Sequence, residues 1–521
     1  MAFFYTIALG IGYMLCIAIP YFILRSTYYL GLHPLRDYNG PFLAKISDSY
    51  AGSFVLRRRL PLVTHDDHKH YGSVMRYGPN RLVFNSVTAI RDIYQNPRTT
   101  KSHLYLFSTN KGVPFIFNTL DRSGHARKRK IIGPALSERS MRMFEPIMSS
   151  QVDVFLKYLL KSGSNLVDVS ERFRRLAMDI VVHLAYGYPL DLQLHDEHYF
   201  ILKSISLANW KINSFMNWPL LSKMGIQYLL DKSPVRKQWK NVIEKMIQTR
   251  VEQDSPERRD FYSFVLQNLD AETADFRQSE LFSESLFFIS AGGDTVSTAM
   301  AGTFFYLARN KRCYDKLAEE IRGKFKTGGD IHGGQQLSSC LYLRACINET
   351  LRMSPPVGGT LWREAAEATE KEPFVVDGHI IPPGTHVGVN TYSIHHNEEY
   401  FPDPFTFTPE RWLETAENDA EYSAGTSTQY RAFVPFSVGM RSCAGKPMAY
   451  LETSLILAKT LWYFDFERCE GSLGDVGGGK KGAPGGRGRV DEFQLYDVIT
   501  SRHDGPWLKF TPRGNYFEDL F

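Results

Sequence analysis

One cysteine, Cys443, stands in the stretch Phe436-Ser437-Val438-Gly439-Met440-Arg441-Ser442-Cys443-Ala444-Gly445, just ahead of an apolar run that reads as a helix from about Pro447. The unpaired N–H groups at such a helix start supply positive potential, which favours a thiolate. A proline in that first turn fits, because its missing donor would be unpaired anyway. Gly439 and Gly445 permit a tight turn and close backbone approach to a flat ligand. Phe436 offers an aromatic cover, and Arg441 a partner for a carboxylate. The pattern F-x-x-G-x-R-x-C-x-G should arise by chance in roughly one chain of this length in ten thousand.

A second pattern runs over residues 276–310, the longest uninterrupted helical signal, on the order of 50 Å if fully helical. Ala291-Gly292-Gly293-Asp294-Thr295 lies at its middle. Two central glycines cost about 1 kcal/mol each against alanine, so they predict a helix that bulges and brings its backbone against a flat cofactor or dioxygen. Thr295 can bond back to the Ala291 carbonyl, and Asp294 adds an ionisable group, making an acid–alcohol pair able to relay protons. Glu349 and Arg352 put opposite charges at i and i+3 on one helix face, and Pro355-Pro356 and Pro409-Glu410-Arg411-Trp412 follow.

The Cys443 stretch resembles the haem-ligand signature of the cytochrome P-450 superfamily. The glycine-rich helix is similar to that family's oxygen-activating helix, and Glu349, Arg352 and Arg411 to its E-x-x-R pair and meander arginine. The resemblance covers nearly the whole chain after the N-terminal run and is nearest to microsomal filamentous-fungal members. It implies a mainly α fold with a minor β region, the helix-rich P-450 prism. It also implies haem b (heme b, iron-protoporphyrin IX) with Cys443 as its axial metal ligand. Asp294 and Thr295 become catalytic. His125, Arg129, Gly292, Arg363, Phe436, Arg441 and Gly445 bind the cofactor. Glu349, Arg352 and Arg411 form a buried structural network behind it.

The chain departs from the family pattern in two places. Val296 stands where Thr or Ser is common, so proton delivery leans on Ser297 or water. His125 and Arg129 occupy the two ends of the usual W-x-x-x-R, and both can still donate to a propionate. The neighbouring Arg127, Lys128 and Lys130 are expected to face an acidic redox partner. The resemblance puts the pocket walls at Pro114-Phe115-Ile116-Phe117, at 288–292, at Val357-Gly358-Gly359-Thr360 and at Ile499-Thr500-Ser501.

The implied activity is monooxygenation, inserting one oxygen from dioxygen into a C–H or C=C bond of a lipophilic small molecule, in fungal secondary metabolism by analogy. Electrons would come from NADPH through a separate reductase, with cytochrome b5 as a further donor, since no flavin or nicotinamide fingerprint is present. The competing readings are a haem-thiolate isomerase or peroxygenase, which needs no proton relay, and a non-catalytic haem-binding protein.

Residues 2–24 carry no charge, and these 23 residues at about 1.5 Å each suffice to cross a hydrocarbon core of about 30 Å. No positive charge precedes the run and no cleavage site follows it, which separates it from a signal peptide. Arg25, Arg36, Lys45 and Arg57-Arg58-Arg59 follow the run, so the body is expected in the cytosol and the anchor as a single pass in the endoplasmic reticulum membrane. The expected organisation is an anchor over 1–25, a Pro/Gly hinge over 26–48 and one catalytic domain over 49–521. Within that domain, residues 471–489 read as a flexible Gly-rich surface insertion. With 61 Lys+Arg against 56 Asp+Glu the net charge is only +5, so nucleic acid is not an expected partner, and a monomer is. The 6 cysteines form no C-x-x-C pair, which argues against zinc and disulfide scaffolds and for a reducing compartment.

Overall fold

The computed structural model describes residues 2–109, 112–225, 234–252, 260–263, 278–366, 372–413 and 427–521. The helices that position the site are α1 (Ala2–Thr27), α2 (Arg122–Ile132), α3 (Glu138–Ser162), α4 (Val169–Tyr186), α5 (Gln278–Arg309), α6 (Leu341–Met353) and α7 (Lys446–Tyr463). Residues 276 and 277 of the expected central helix lie outside the described residues.

Helix α5 runs for 32 residues, and its C-terminal half is apolar nearly all round, so it can only sit inside. Met300, Phe304, Phe305 and Leu307 are buried there against Phe155 of α3, Phe173 and Leu176 of α4, and Leu455 and Ile456 of α7. Each such side chain contributes roughly 1.5–3 kcal/mol by leaving water. Asp168 starts α4 by accepting from the Ser170 N–H at 3.0 Å, and Gly187 ends it at φ +61°.

The two central glycines do not produce the expected bulge, and each meets a neighbour in α4. A Cβ on Gly292 would lie 2.7 Å from Val181 Cγ2, and one on Gly293 2.7 Å from Met178 Cε. Both neighbours belong to α4. The glycines therefore let α4 lie close along α5, which remains α-helical through them with no bulge.

The minor β region contains a five-stranded sheet of β1 (Val74–Gly78), β2 (Arg81–Phe84), β3 (Thr99–Lys101), β4 (Arg363–Ala365) and β5 (His386–Val389), in the order β1-β2-β5-β4-β3. Lys101 pairs with Arg363 and Thr100 with Glu364. Side chains alternate along a strand, so Lys101 and Arg363 share one face of the sheet and Glu364 takes the other. The expected Asp377-Gly378 hairpin forms between Phe374–Val376 and His379–Ile381, both turn residues having positive φ.

Two expectations about the periphery change. Among the described residues no helix is long and apolar enough to cross a membrane, so the transmembrane span expected over 1–25 is not supported. Helix α1 does form there, with Phe4, Ile17, Phe22 and Leu24 exposed. Residues 471–489, expected to be flexible, are bonded to the body. Arg487 donates to Gln494 at 3.0 Å and to the Arg58 carbonyl at 3.1 Å, while Arg489 donates to Glu492 at 2.5 Å and Tyr392 at 2.8 Å. Guanidinium and backbone hydrogen bonds hold what apolar burial could not. The hinge is tied similarly, through Arg76, which donates to the Tyr29 carbonyl at 2.8 Å.

Candidate active site

A cavity of about 1340 Å³ separates α5 from the Cys443 loop. The loop is closed by the Cys443 N–H donating to the Phe436 carbonyl at 2.8 Å. Gly439, at φ +75°, presses on the Tyr94 backbone, where a Cβ would lie 2.1 Å from the Tyr94 oxygen. Its close approach is thus to protein rather than to the expected ligand. Gly445 starts α7, with Pro447 in the first turn. It lines the cavity, as does Phe436, whose ring packs 5.2 Å from that of Tyr450.

The Cys443 sulfur is exposed, and what it faces is this cavity. Protein atoms crowd its other sides, so burial pushes the thiol up. The N–H groups of Gly445 and Lys446 and the charges of Arg129 and Lys446 pull it back toward thiolate. That opposition is the effect expected of a cysteine at a helix start.

Along one wall positive groups converge. His125 and Arg129 of α2, Arg363 of β4 and Arg441 of the loop all line the cavity, and Lys101 of β3 joins them. Arg129 reaches the Ser442 carbonyl at 3.4 Å, and Arg363 is almost wholly buried with its guanidinium 5.1 Å from the Tyr94 ring. Arg441 donates to the carbonyls of Thr119 at 2.7 Å and Leu120 at 2.6 Å. Burial, aided by Arg363, lowers Arg441 to about 10. Burial lowers His125 to about 3, with Arg441, Lys101, Arg129 and Arg363 pushing the same way, so its ring is neutral at pH 7. Lys101 is held well below the ordinary lysine value by burial and then by Arg363 and Arg441, with Glu284 opposing them. Its ammonium donates to the Phe117 carbonyl and sits 4.7 Å from the Phe117 ring.

Across the cavity, Thr295 lines α5 and its hydroxyl donates to the Ala291 carbonyl at 2.7 Å, the bond its spacing predicts. Gly292 and Val296 line the same wall. Asp294 points to the far side of α5, where Oδ1 is 3.7 Å from Arg174 and Oδ2 accepts from Thr500 at 3.4 Å. Burial raises the Asp294 carboxyl against the pull of Arg174, Arg502 and Thr500. Thr500 itself lines the cavity and connects the buried acid to it. Ser297 does not take the relay role considered for it. Its hydroxyl donates to the Asp294 carbonyl at 2.9 Å and lies outside the cavity lining.

Behind the loop, Glu349 and Arg352 have fully buried side chains. Glu349 accepts two bonds from Arg352, at 2.8 and 2.9 Å, one from Arg411 at 3.0 Å and one from the Trp412 indole at 3.0 Å. The second guanidinium edge of Arg352 donates to the His395 and Pro404 carbonyls at 2.9 and 2.8 Å. This is the expected network, extended by Trp412.

The basic run on α2 is arranged differently from its expectation as a partner-facing patch. Arg127 donates to Glu280 at 2.9 Å, and buried Lys128 pairs with Glu280 at 3.2 Å and Glu284 at 2.9 Å. These two cations hold α2 against α5, with Lys128 buried and Arg127 part-exposed, while Lys130 is exposed. Of the expected walls, Phe115, Ile116, Phe117, Phe288, Ser290, Ala291, Gly292, Val357, Ile499 and Thr500 line the cavity, and Pro114, Ile289, Gly358, Gly359, Thr360 and Ser501 do not.

The family model described as Cytochrome P450 matches residues 56–474. The chain belongs to the cytochrome P450 family. It is 33% identical to "Cytochrome P450 monooxygenase AKT7" of Alternaria alternata, over 97% of this chain and 99% of that protein. It is also 33% identical to "Cytochrome P450 monooxygenase apf7" of Gibberella fujikuroi, over 94% and 96%, and 31% identical to "Cytochrome P450 monooxygenase poxM" of Penicillium oxalicum, over 93% and 91%. This P450 is a monooxygenase, an oxidoreductase that uses dioxygen and reductase-supplied electrons.

Membership implies a haem-thiolate cofactor, and the P450's own residues fit one. A flat dianion needs buried cations without close carboxylate partners; among the described residues Lys101, Arg363 and Arg441 form no direct ion pair, and the Arg363 charge lowers both Lys101 and Arg441. Lys101 was not legible as a site residue. It sits in a short edge strand, and only its pairing with Arg363 brings it to the cavity.

Proposed function

We propose that Cys443 ligates the iron of haem b, and that the P450 uses it to hydroxylate or epoxidise a lipophilic molecule of fungal secondary metabolism. When bound, the haem supplies binding and reductive activation of dioxygen. The observation that carries the reading is a cysteine sulfur facing a cavity whose side wall gathers Lys101, Arg129, Arg363 and Arg441. Those cations and neutral His125 would hold the two propionates, and Phe436 and Gly445, which line the same cavity, would contact the group.

The proton route rests on Thr295 and Asp294. The Thr295 hydroxyl, held by Ala291, presents its oxygen to the cavity, and Thr500 Oγ1 donates to Asp294 Oδ2 at the cavity edge, where a proton taken from the acid would be matched by the hydroxyl's own passing to cavity water. Substrate is selected by an apolar wall of Phe115, Phe117, Phe287, Val296 and Ile499. Electrons arrive from NADPH through a separate membrane-bound reductase or cytochrome b5. The exposed apolar side chains of α1 support membrane attachment of the N-terminus, with the catalytic body on the cytosolic side of the endoplasmic reticulum.

Reduced carbon-monoxide difference spectra of the full chain and its Cys443→Ser variant test the reading. The thiolate band should be present in the first and lost in the second, and its retention in the variant would overturn the ligand assignment. Turnover with reductase should require both NADPH and dioxygen. Undiminished turnover without NADPH would favour the isomerase reading.

A further inference from the structure

On the sheet face opposite Lys101 and Arg363, three side chains from three segments meet. His103 follows β3, Glu364 belongs to β4, and His386 opens β5. One ligand atom from each lies within 4.8 Å of the others. Glu364 Oε2 is 3.1 Å from His103 Nδ1 and 3.3 Å from His386 Nδ1. These two separations lie close to the edge of a tetrahedron built on zinc bonds of about 2.0–2.1 Å, about 3.3–3.4 Å, while the two imidazole nitrogens lie within 4.8 Å of each other and would draw together on an ion.

The surrounding bonds orient the three groups. Glu364 Oε1 is taken by the His103 backbone N–H at 3.1 Å, which leaves Oε2 at the centre of the cluster. Ser102 Oγ lies 3.0 Å from His386 Nδ1, the nitrogen an ion would take, so its hydroxyl would turn away on binding. The set is graded in exposure, with side chains 61% exposed at His103, 20% at Glu364 and 8% at His386. An ion can therefore enter from the His103 side and keep an open coordination position. Two imidazoles and one carboxylate form a donor set suited to a borderline divalent ion.

We infer that His103, Glu364 and His386 form a zinc site, separate from the haem cavity, that cross-links β3, β4 and β5. Its consequence is structural. An ion there would fix the register of the strands that carry Lys101 and Arg363 to the cavity wall.

The test is Zn²⁺ uptake by the tag-free, haem-loaded full chain, measured by competition with a chromophoric chelator. One ion per chain is expected, together with a visible Co²⁺ spectrum of tetrahedral intensity. His103→Ala removes an exposed ligand and Glu364→Gln keeps the shape of the third. Each should weaken uptake by about tenfold or more, with the haem absorbance unchanged as the sign of folding. Absence of uptake by the parent chain, or undiminished uptake in either variant, would overturn the site.

Discussion

Around Glu349 every charge is answered within the chain, whereas around Lys101 positive groups crowd one another. Glu349 takes bonds from two arginines and an indole, and the remaining Arg352 donors reach carbonyls. Lys101, Arg363 and Arg441 are also buried or half-buried, yet burial and mutual repulsion lower both Lys101 and Arg441. A buried charge costs several kcal/mol unless it is paired. The first group is given a carboxylate within the chain and the second only carbonyls, which is structure in one place and, as proposed above, a receptor for an anion in the other.

The largest effect should come from breaking the satisfied network. Glu349→Gln leaves Arg352 and Arg411 buried without their carboxylate, and chemical denaturation should show a loss of about 3–5 kcal/mol. Next comes the cavity wall. Arg363→Met removes a charged donor to a propionate, so haem affinity should fall by about 10–100-fold, the equivalent of about 1.5–3 kcal/mol. Haem transfer to apomyoglobin measures it, and unchanged retention would remove Arg363 from the cofactor's partners.

The third prediction concerns pH. His125 has an ordinary value of 6.5 unfolded and about 3 folded, so between those values the unfolded chain binds the extra proton. Stability contributed by neutral His125 is whole above about pH 6.5 and is lost as pH falls, at up to about 1.4 kcal/mol per pH unit. His125→Phe should make unfolding less acid-sensitive in that window. The smallest effect serves as the contrast. Lys311 and Asp315 form an i,i+4 pair that is largely exposed, and Lys311→Ala should leave the unfolding midpoint unchanged, because surface pairs are screened.

Local chemistry was legible in the sequence and neighbours were not. The Cys443 loop, the Thr295 bond to Ala291 and the Glu349–Arg352 pair each depend on spacing within one segment. The bulge expected at Gly292-Gly293 does not form, and the close packing the pair permits, against Val181 and Met178, involves residues more than a hundred positions away. Arg127 and Lys128 read as a patch for an acidic partner for the same reason, since their carboxylates, Glu280 and Glu284, come from α5. Residues 471–489 have few apolar side chains, and composition does not reveal that two arginines hold them.

The contrast between the two charged regions is tested most directly by Lys101→Met, with thermal stability followed in the haem-free and haem-loaded chain. Removing an uncompensated buried cation should raise the midpoint of the haem-free chain and lower the additional stabilisation that haem confers. A haem-free midpoint that falls, with stabilisation by haem unchanged, would show that Lys101 is paired within the chain and would contradict the account.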